Sequence, residues 1–329
     1  MSKQKNLRKV IFLVLVLVLV LVMIFSGLQV LESTVLFGGQ DNSDEISSKT
    51  VIKNGIEYYP RQDITTILFI GIDQEGIAKP SLSYNNTGAA DVVALVIFDE
   101  TNKKCDVLCL NRDTMLKMPV LGLGGKPAGT NYGQLALSHT YGTGMKDSCE
   151  NVKTTVSEFL MGAKINYYFS VRMDAIATLN DAVGGVTVNI VDDFSEVAPE
   201  ITKGEFTLRG DQALTFVRSR MNLGNQLNVS RMERQREYMK GFLTALDKKL
   251  ENSNSFALNT YNSVKDYVVT DCTNTSVITD LVNKFSEYSV DEIVSPEGEN
   301  VRGEKYYEFH VDEEALEDLI IRLLYEPKK

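Results

Sequence analysis

The sequence predicts one α/β domain built on a central mixed β-sheet flanked by helices, preceded by a single transmembrane helix. Three observations carry this. Thr65–Ile72, Asp91–Phe98 and Cys105–Leu110 are nearly continuous apolar runs rich in β-branched residues, the pattern of strands buried on both faces. Strand-like and helix-like segments then alternate to the C-terminus without a break in composition. Ahead of them, Val10 to Phe25 contains no polar side chain, and the apolar stretch continues with one Ser and one Gly to Leu28 or Leu31. That is enough to cross a bilayer as a helix.

Taken from the N-terminus, residues 1–9 carry Lys3, Lys5, Arg8 and Lys9, which places them in the cytoplasm and the body of the protein outside. The apolar run is too long for a cleaved signal peptide, and Ser-Gly-Leu-Gln-Val-Leu-Glu after Phe25 is a poor cleavage site, so 10–31 is expected to stay as an anchor. Residues 32–62 are polar and mixed and read as a stalk, leaving 63–329 as the extracytoplasmic domain. The second and third strands form a hairpin through the turn Asp99–Lys104. Ser148–Met161 places Val152, Val156, Phe159 and Leu160 on one helical face. Strand Ile165–Val171 follows, then helix Met173–Val183, stopped by Gly184 and Gly185, then strand Val186–Ile190. Ser230 with Glu233 makes a capping box, after which Met232, Met239, Phe242, Leu243, Leu246 and Leu250 stripe a long helix. A helix over Val277–Phe285, strand Tyr306–Val311 and helix Ala315–Tyr325 close the chain.

The formal net charge is −10 although the four basic residues at the N-terminus contribute +4, so the remainder sums to −14. Such a body repels nucleic-acid phosphates and excludes binding through bulk electrostatics. Cys105, Cys109, Cys149 and Cys272 are too scattered for a disulfide framework. Cys105 and Cys109 are four apart in a strand, about 13 Å between Cα atoms, beyond disulfide reach. With only His139 and His310, no zinc-ligand spacing occurs.

Chemistry concentrates at the strand ends. Asp73 follows the first strand and Asp91 opens the second, so a sheet can bring both carboxylates to one hard cation such as magnesium (Mg2+). Spacing alone leaves open that each merely caps a turn. Arg112 and Asp113 follow the third strand, where the arginine can reach a phosphate at the same edge with the aspartate orienting it; a surface ion pair is the commoner explanation of an isolated Arg-Asp. Arg218 and Arg220 precede Arg231, Arg234 and Gln235, which fall at i, i+3 and i+4 on one side of the long helix. Basic side chains at a helix start oppose the macrodipole unless an anion joins them, and phosphate is the natural anion. A solvated basic face is the alternative. No activated nucleophile is evident: Ser138 and His139 are adjacent but lack an orienting partner, and no Gly-x-Ser-x-Gly elbow occurs.

In this order the segments resemble the LytR-CpsA-Psr family. Thr66–Asp73 looks like its opening strand and aspartate, Ala90–Val96 like its second aspartate motif, and Cys109–Thr114 like its arginine-aspartate-threonine motif. Leu137–Gly142, Asp181–Val186, Gly210–Leu214 through Arg220, and Asn228–Gln235 agree as well. The resemblance implies a hydrophobic pocket for a polyprenyl lipid, magnesium on Asp73 and Asp91, and pyrophosphate held by Arg112, Arg218, Arg220, Arg231, Arg234 and Gln235. It implies an enzyme that transfers a polyprenyl-pyrophosphate-linked glycan (teichoic acid, capsule or another secondary wall polymer) to peptidoglycan, with Arg112, Asp113, Arg218 and Arg220 as the catalytic set. Gln74, Asn111 and Asn228 depart from the family pattern. A lipid-pyrophosphate hydrolase and a non-catalytic lipid-binding regulator are the alternatives, and reaction products separate the three.

Overall fold

The computed structural model of the protein describes residues 50–219, 256–272, 288–304 and 306–328, together with 234, 237, 238, 240–242, 244–246, 248 and 249. The transmembrane helix expected at 10–31, the capping box Ser230–Glu233 and the helix expected at Val277–Phe285 lie outside the described residues.

The chain enters through a hairpin of β1 (Val51–Lys53) and β2 (Ile56–Pro60). It then forms β3 (Ile64–Ile72), β4 (Ala90–Asp99) and β5 (Lys104–Leu110), antiparallel in turn and nearly all buried, as their β-branched runs require. A ribbon of β6 (Met115–Leu121) and β7 (Pro127–Gln134) leads to α1 (Lys146–Phe159). Next come β8 (Tyr167–Arg172), α2 (Ala175–Ala182), the hairpin of β9 (Val186–Ile190) and β10 (Gly204–Leu208), and α3 (Asp211–Arg218). The described residues of 234–249 are helical. After α4 (Phe256–Val264) follow β11 (Val268–Thr270), β12 (Ser289–Val294), the hairpin of β13 (Gly298–Arg302) and β14 (Tyr307–Val311), α5 (Glu313–Leu324) and β15 (Tyr325–Pro327).

Six strands make the central sheet in the order β11-β8-β3-β4-β5-β12. It is mixed because β3 pairs parallel with β8 and β5 parallel with β12, while the other neighbours are antiparallel. Alternation along the strands sorts the core into two layers. Leu68, Ile70, Val93, Leu95 and Leu108 face α1 and α5, meeting Val152, Val156, Ile320 and Leu324. Ile67, Phe69, Ala94, Val96 and Val107 face the opposite layer, where α2, α3 and the helical segment after residue 234 supply Ile176, Leu179, Phe216, Tyr238, Phe242 and Leu246. Burying each such side chain contributes about 1.5–3 kcal/mol, so the sheet is fixed from both sides. The helical stripe expected after Ser230 is met at Phe242 and Leu246, both buried.

The folded part begins earlier than the stalk reading of 32–62 allows. Val51–Pro60 forms strands, and β2 pairs with β15 at the far end of the chain, from Tyr58–Pro327 to Pro60–Tyr325. These short, half-exposed strands have no apolar alternation, because their stability comes from a partner more than two hundred and fifty residues away. The ribbon of β6 and β7 escapes sequence reading for a local reason: Pro119 interrupts one strand, and β7 is largely polar and exposed. All four cysteines are buried free thiols.

Candidate active site at one edge of the sheet

Because β3 and β4 run antiparallel, the end of β3 lies beside the start of β4. The end of β5 arrives at the same edge, as does that of β8, where Arg172 stands in register with Ile72. Asp73, Asp91, Arg112 and Arg172 are thereby gathered from four strands at one edge.

The two aspartates share one backbone contact. The amides of Asp73 and Asp91 both donate to the Ala89 carbonyl, each at 3.1 Å. A single carbonyl oxygen therefore ties the two amides together and holds the backbones of Asp73 and Asp91 side by side. The Asp91 contact is a three-residue turn, made where the pairing of β3 with β4 slips between Gly71 and Ile72. This bulge turns the start of β4 back toward Asp73.

Each aspartate has its own arginine. Asp91 and Arg112 form a buried ion pair, with side chains 3% and 7% exposed. Asp73 is more open and pairs with Arg218 at 3.1 Å, and Arg218 also approaches Glu75 at 3.6 Å. Helix α3 ends at Arg218, and Ser219 is extended, so the chain leaves helical geometry just where Arg218 and Arg220 must diverge from a helical spacing to share a target. Arg220, Arg231 and Gln235 lie outside the described residues.

The remaining expected residues turn inward. Asp113 is 3% exposed; its carboxylate accepts from Gln134 Nε2 at 2.7 Å, and its carbonyl from Phe309 N at 2.9 Å. Burial pushes the Asp113 carboxyl above the usual carboxylate range, and neighbouring Arg112 offsets part of this. Gln134 also donates to Tyr307 O, so Asp113 ties the β5 end to β7 and β14. Arg234 is 6% exposed and donates to Asp192, to Phe216 O at 3.1 Å and to Ser219 O, while lying over the Phe194 ring. It braces the corner that presents Arg218. Ser138 donates to Leu135 O and His139 Nδ1 faces Gly88 O, so the two do not form a nucleophile and its base.

Three residues absent from the sequence reading matter here. Asn86 and Gln134 are buried polar side chains with several partners each. Arg172, also buried, donates to Glu75 O and Lys79 O, gripping the stretch that follows Asp73. Only the cation of Arg172, at the end of an apolar strand, left a signal in the sequence.

The donor set suits a hard cation. Asp73 and Asp91 supply carboxylate oxygens, and Gln74 Oε1 is buried without a hydrogen-bond partner beside them. Among the described residues no three His, Cys, Asp or Glu side chains are grouped to hold a metal by themselves. A cation here would need oxygens from a bound ligand as well.

Comparison with known proteins identifies the fold and the family. A polyisoprenyl-teichoic acid–peptidoglycan teichoic acid transferase, TagU, from Bacillus cereus is 29% identical over 183 residues, covering 56% of this chain and 53% of that protein. The chain thus spans about half the length of the curated relatives it matches. The solved structure of gbs0355 from Streptococcus agalactiae superposes with a TM-score of 0.59 at 22% identity, covering 79% of this chain and 86% of that one. B. subtilis TagV superposes at 0.53 and 22%, covering 80% and 96%. These likenesses establish the fold. The model of the LytR_cpsA_psr family matches residues 33–323, nearly the whole length, and the chain belongs to that family.

Proposed function

We propose that this protein is a magnesium-dependent phosphotransferase, anchored in the membrane by residues 10–31 with its catalytic domain outside the cell. It moves a polyprenyl-pyrophosphate-linked glycopolymer onto peptidoglycan and releases polyprenyl phosphate. The polymer is teichoic acid, capsule or another secondary wall polymer. One observation carries the reading: two aspartates joined through a single carbonyl share a sheet edge with two arginines, one buried and one open. The names of the TagU relatives and a solved TagT structure described as bound to LI-WTA point to the same chemistry.

A pyrophosphate diester brings about two negative charges, and phosphoryl transfer needs positioning and charge neutralisation more than covalent chemistry. A peptidoglycan sugar hydroxyl attacks the phosphorus next to the glycan, and the bond between the two phosphates breaks. Arg218, with 36% of its side chain exposed, is free to leave Asp73 and meet the departing phosphate. Arg112 stays on Asp91 and keeps that carboxylate aimed. Magnesium bound to Asp73 and Asp91 would neutralise pyrophosphate oxygens. Arg220, Arg231 and Gln235 complete the grip, and the polyprenyl chain lies along the apolar layer between the sheet and the helices that carry Arg218.

The test incubates the full chain in detergent with lipid-pyrophosphate glycan, magnesium and peptidoglycan fragments, with products identified by mass spectrometry. Glycan joined to peptidoglycan is expected. Asp73→Ala should abolish it, and Arg218→Ala should cut it tenfold to a hundredfold, the equivalent of about 1.5–3 kcal/mol for one charge-assisted bond. Free glycan phosphate would identify a hydrolase, and unchanged donor a binder.

A further inference from the structure

We infer that Asn86 and His139 are positioning residues that lock the loop between Asp73 and Asp91, so that Ala89 holds both aspartates in register. The inference rests on the reading of this edge as a metal–pyrophosphate site.

Residues 74–89 carry no strand or helix of their own, and a connection of that length is ordinarily mobile. Its second half is nevertheless tied down. Asn85 makes an isolated bridge with Tyr141, and the Asn86 amide donates to Thr140 O at 2.8 Å. The Asn86 side chain, 5% exposed, lies among four oxygens: His139 O at 2.8 Å, Thr140 O at 3.2 Å, Ser148 Oγ at 3.2 Å and Gly142 O at 3.3 Å. Three of these are carbonyls, which only accept, so the position demands an NH2 group. Its own Oδ1 accepts from Gly88 N at 2.8 Å.

His139 completes the clasp. Its ring is 2% exposed, with Nδ1 at 2.7 Å from Gly88 O and Nε2 at 3.8 Å from Cys149 Sγ. A carbonyl accepts only, so Nδ1 carries the proton and Nε2 is left to accept from the Cys149 thiol. Gly88 therefore has its N–H held by Asn86 and its C=O by His139. The next residue is Ala89, whose carbonyl serves both aspartate amides. The clasp also presses on Asp73 from its two neighbours. A Cβ added at Gly88 would lie 2.9 Å from Ile72 Cγ2 and 3.0 Å from Gln74 Oε1, so the loop closes directly on the residues flanking that aspartate.

A merely structural role would lower stability and leave the metal requirement alone; a positioning role changes the metal requirement of a folded protein. The full chain in detergent is assayed for transfer across a magnesium titration, with backbone hydrogen exchange followed over 84–92. Asn86→Asp sets a carboxylate against three carbonyls, and His139→Leu removes the donor to Gly88. Each should raise the magnesium needed for half-maximal rate at least tenfold and speed exchange at Gly88–Asp91. His139→Asn, whose Nδ2 takes the place of Nδ1, should stay within about threefold of wild type. Wild-type magnesium dependence in folded Asn86→Asp and His139→Leu proteins overturns the inference and leaves the site assignment standing. Should neither variant fold, the wild-type protein decides: the Gly88 amide must be protected, and free exchange there overturns the lock. Absence of magnesium-dependent transfer by the wild type overturns the site assignment and the inference with it.

Discussion

Replacing Arg112 by Met tests whether the buried pair with Asp91 is what holds that carboxylate at the sheet edge. Met keeps most of the side-chain volume and removes only the charge and the donors. The two side chains are 7% and 3% exposed, so Asp91 would lose its arginine while almost out of contact with water. Breaking a buried pair by removing one partner costs about 3–5 kcal/mol. At 2–4 °C per kcal/mol for a domain of this size, melting should fall by roughly 10 °C. Far-ultraviolet circular dichroism is the suitable probe, because the chain has no tryptophan to report by fluorescence. The double variant, Arg112→Met with Asp91→Asn, removes both charges and should recover a large part of the loss, since a buried pair replaced as a whole is close to neutral. Both proteins should be inactive in transfer. A single variant melting within about 2 °C of wild type, or a double variant at the sum of the two single losses, would show that the pair does not operate as a desolvated unit.

Two further outcomes follow from the same geometry. Arg234→Met removes a buried guanidinium from the partly buried Asp192 carboxylate and from Phe216 O and Ser219 O, so about 3 kcal/mol of stability should be lost together with transfer; wild-type melting combined with lost lipid binding would instead place this guanidinium on the ligand. His139 supplies an acid-dependent term. Burial, opposed by the hydrogen bond to Gly88 O and more weakly by Asp147 and reinforced by the charge of Arg172, holds its pKa down at about 4 against an ordinary 6.5, with the Cys149 thiol beside it kept protonated by its own burial. Below pH 6.5 the unfolded chain takes up a proton that the folded one refuses until about pH 4, so stability falls with pH by about 1.4 kcal/mol per unit, reaching roughly 3 kcal/mol. Between pH 7 and 4 the stability of wild type relative to His139→Asn should fall by that amount in thermal melts, since only the wild type carries the imidazole; parallel curves would refute it.

The central strands and the charged residues that end them were legible in the sequence alone. β3, β4 and β5 match their apolar runs to within a residue at either end, because strands buried on both faces tolerate little besides β-branched and large apolar side chains. The glycine stop after α2 was legible for an equally local reason: Gly184 and Gly185 adopt φ of +89° and +93°, which side-chain-bearing residues avoid. Asp73, Asp91 and Arg112 stood out because charged residues directly ending such runs are brought to one edge by antiparallel pairing. Which partners they meet was set by long-range docking of the chain. Arg218 meets Asp73 across 145 positions, Arg112 meets Asp91 across 21, and His139 meets Gly88 across 51. No periodicity or local propensity encodes contacts of that span, since each depends on where two separately folded segments dock. The same limit hid the β2–β15 pairing, the inward turn of Arg234 and the role of Asn86. A short polar side chain in a glycine-containing loop looks like ordinary turn chemistry until the carbonyls of His139, Thr140 and Gly142 close around it.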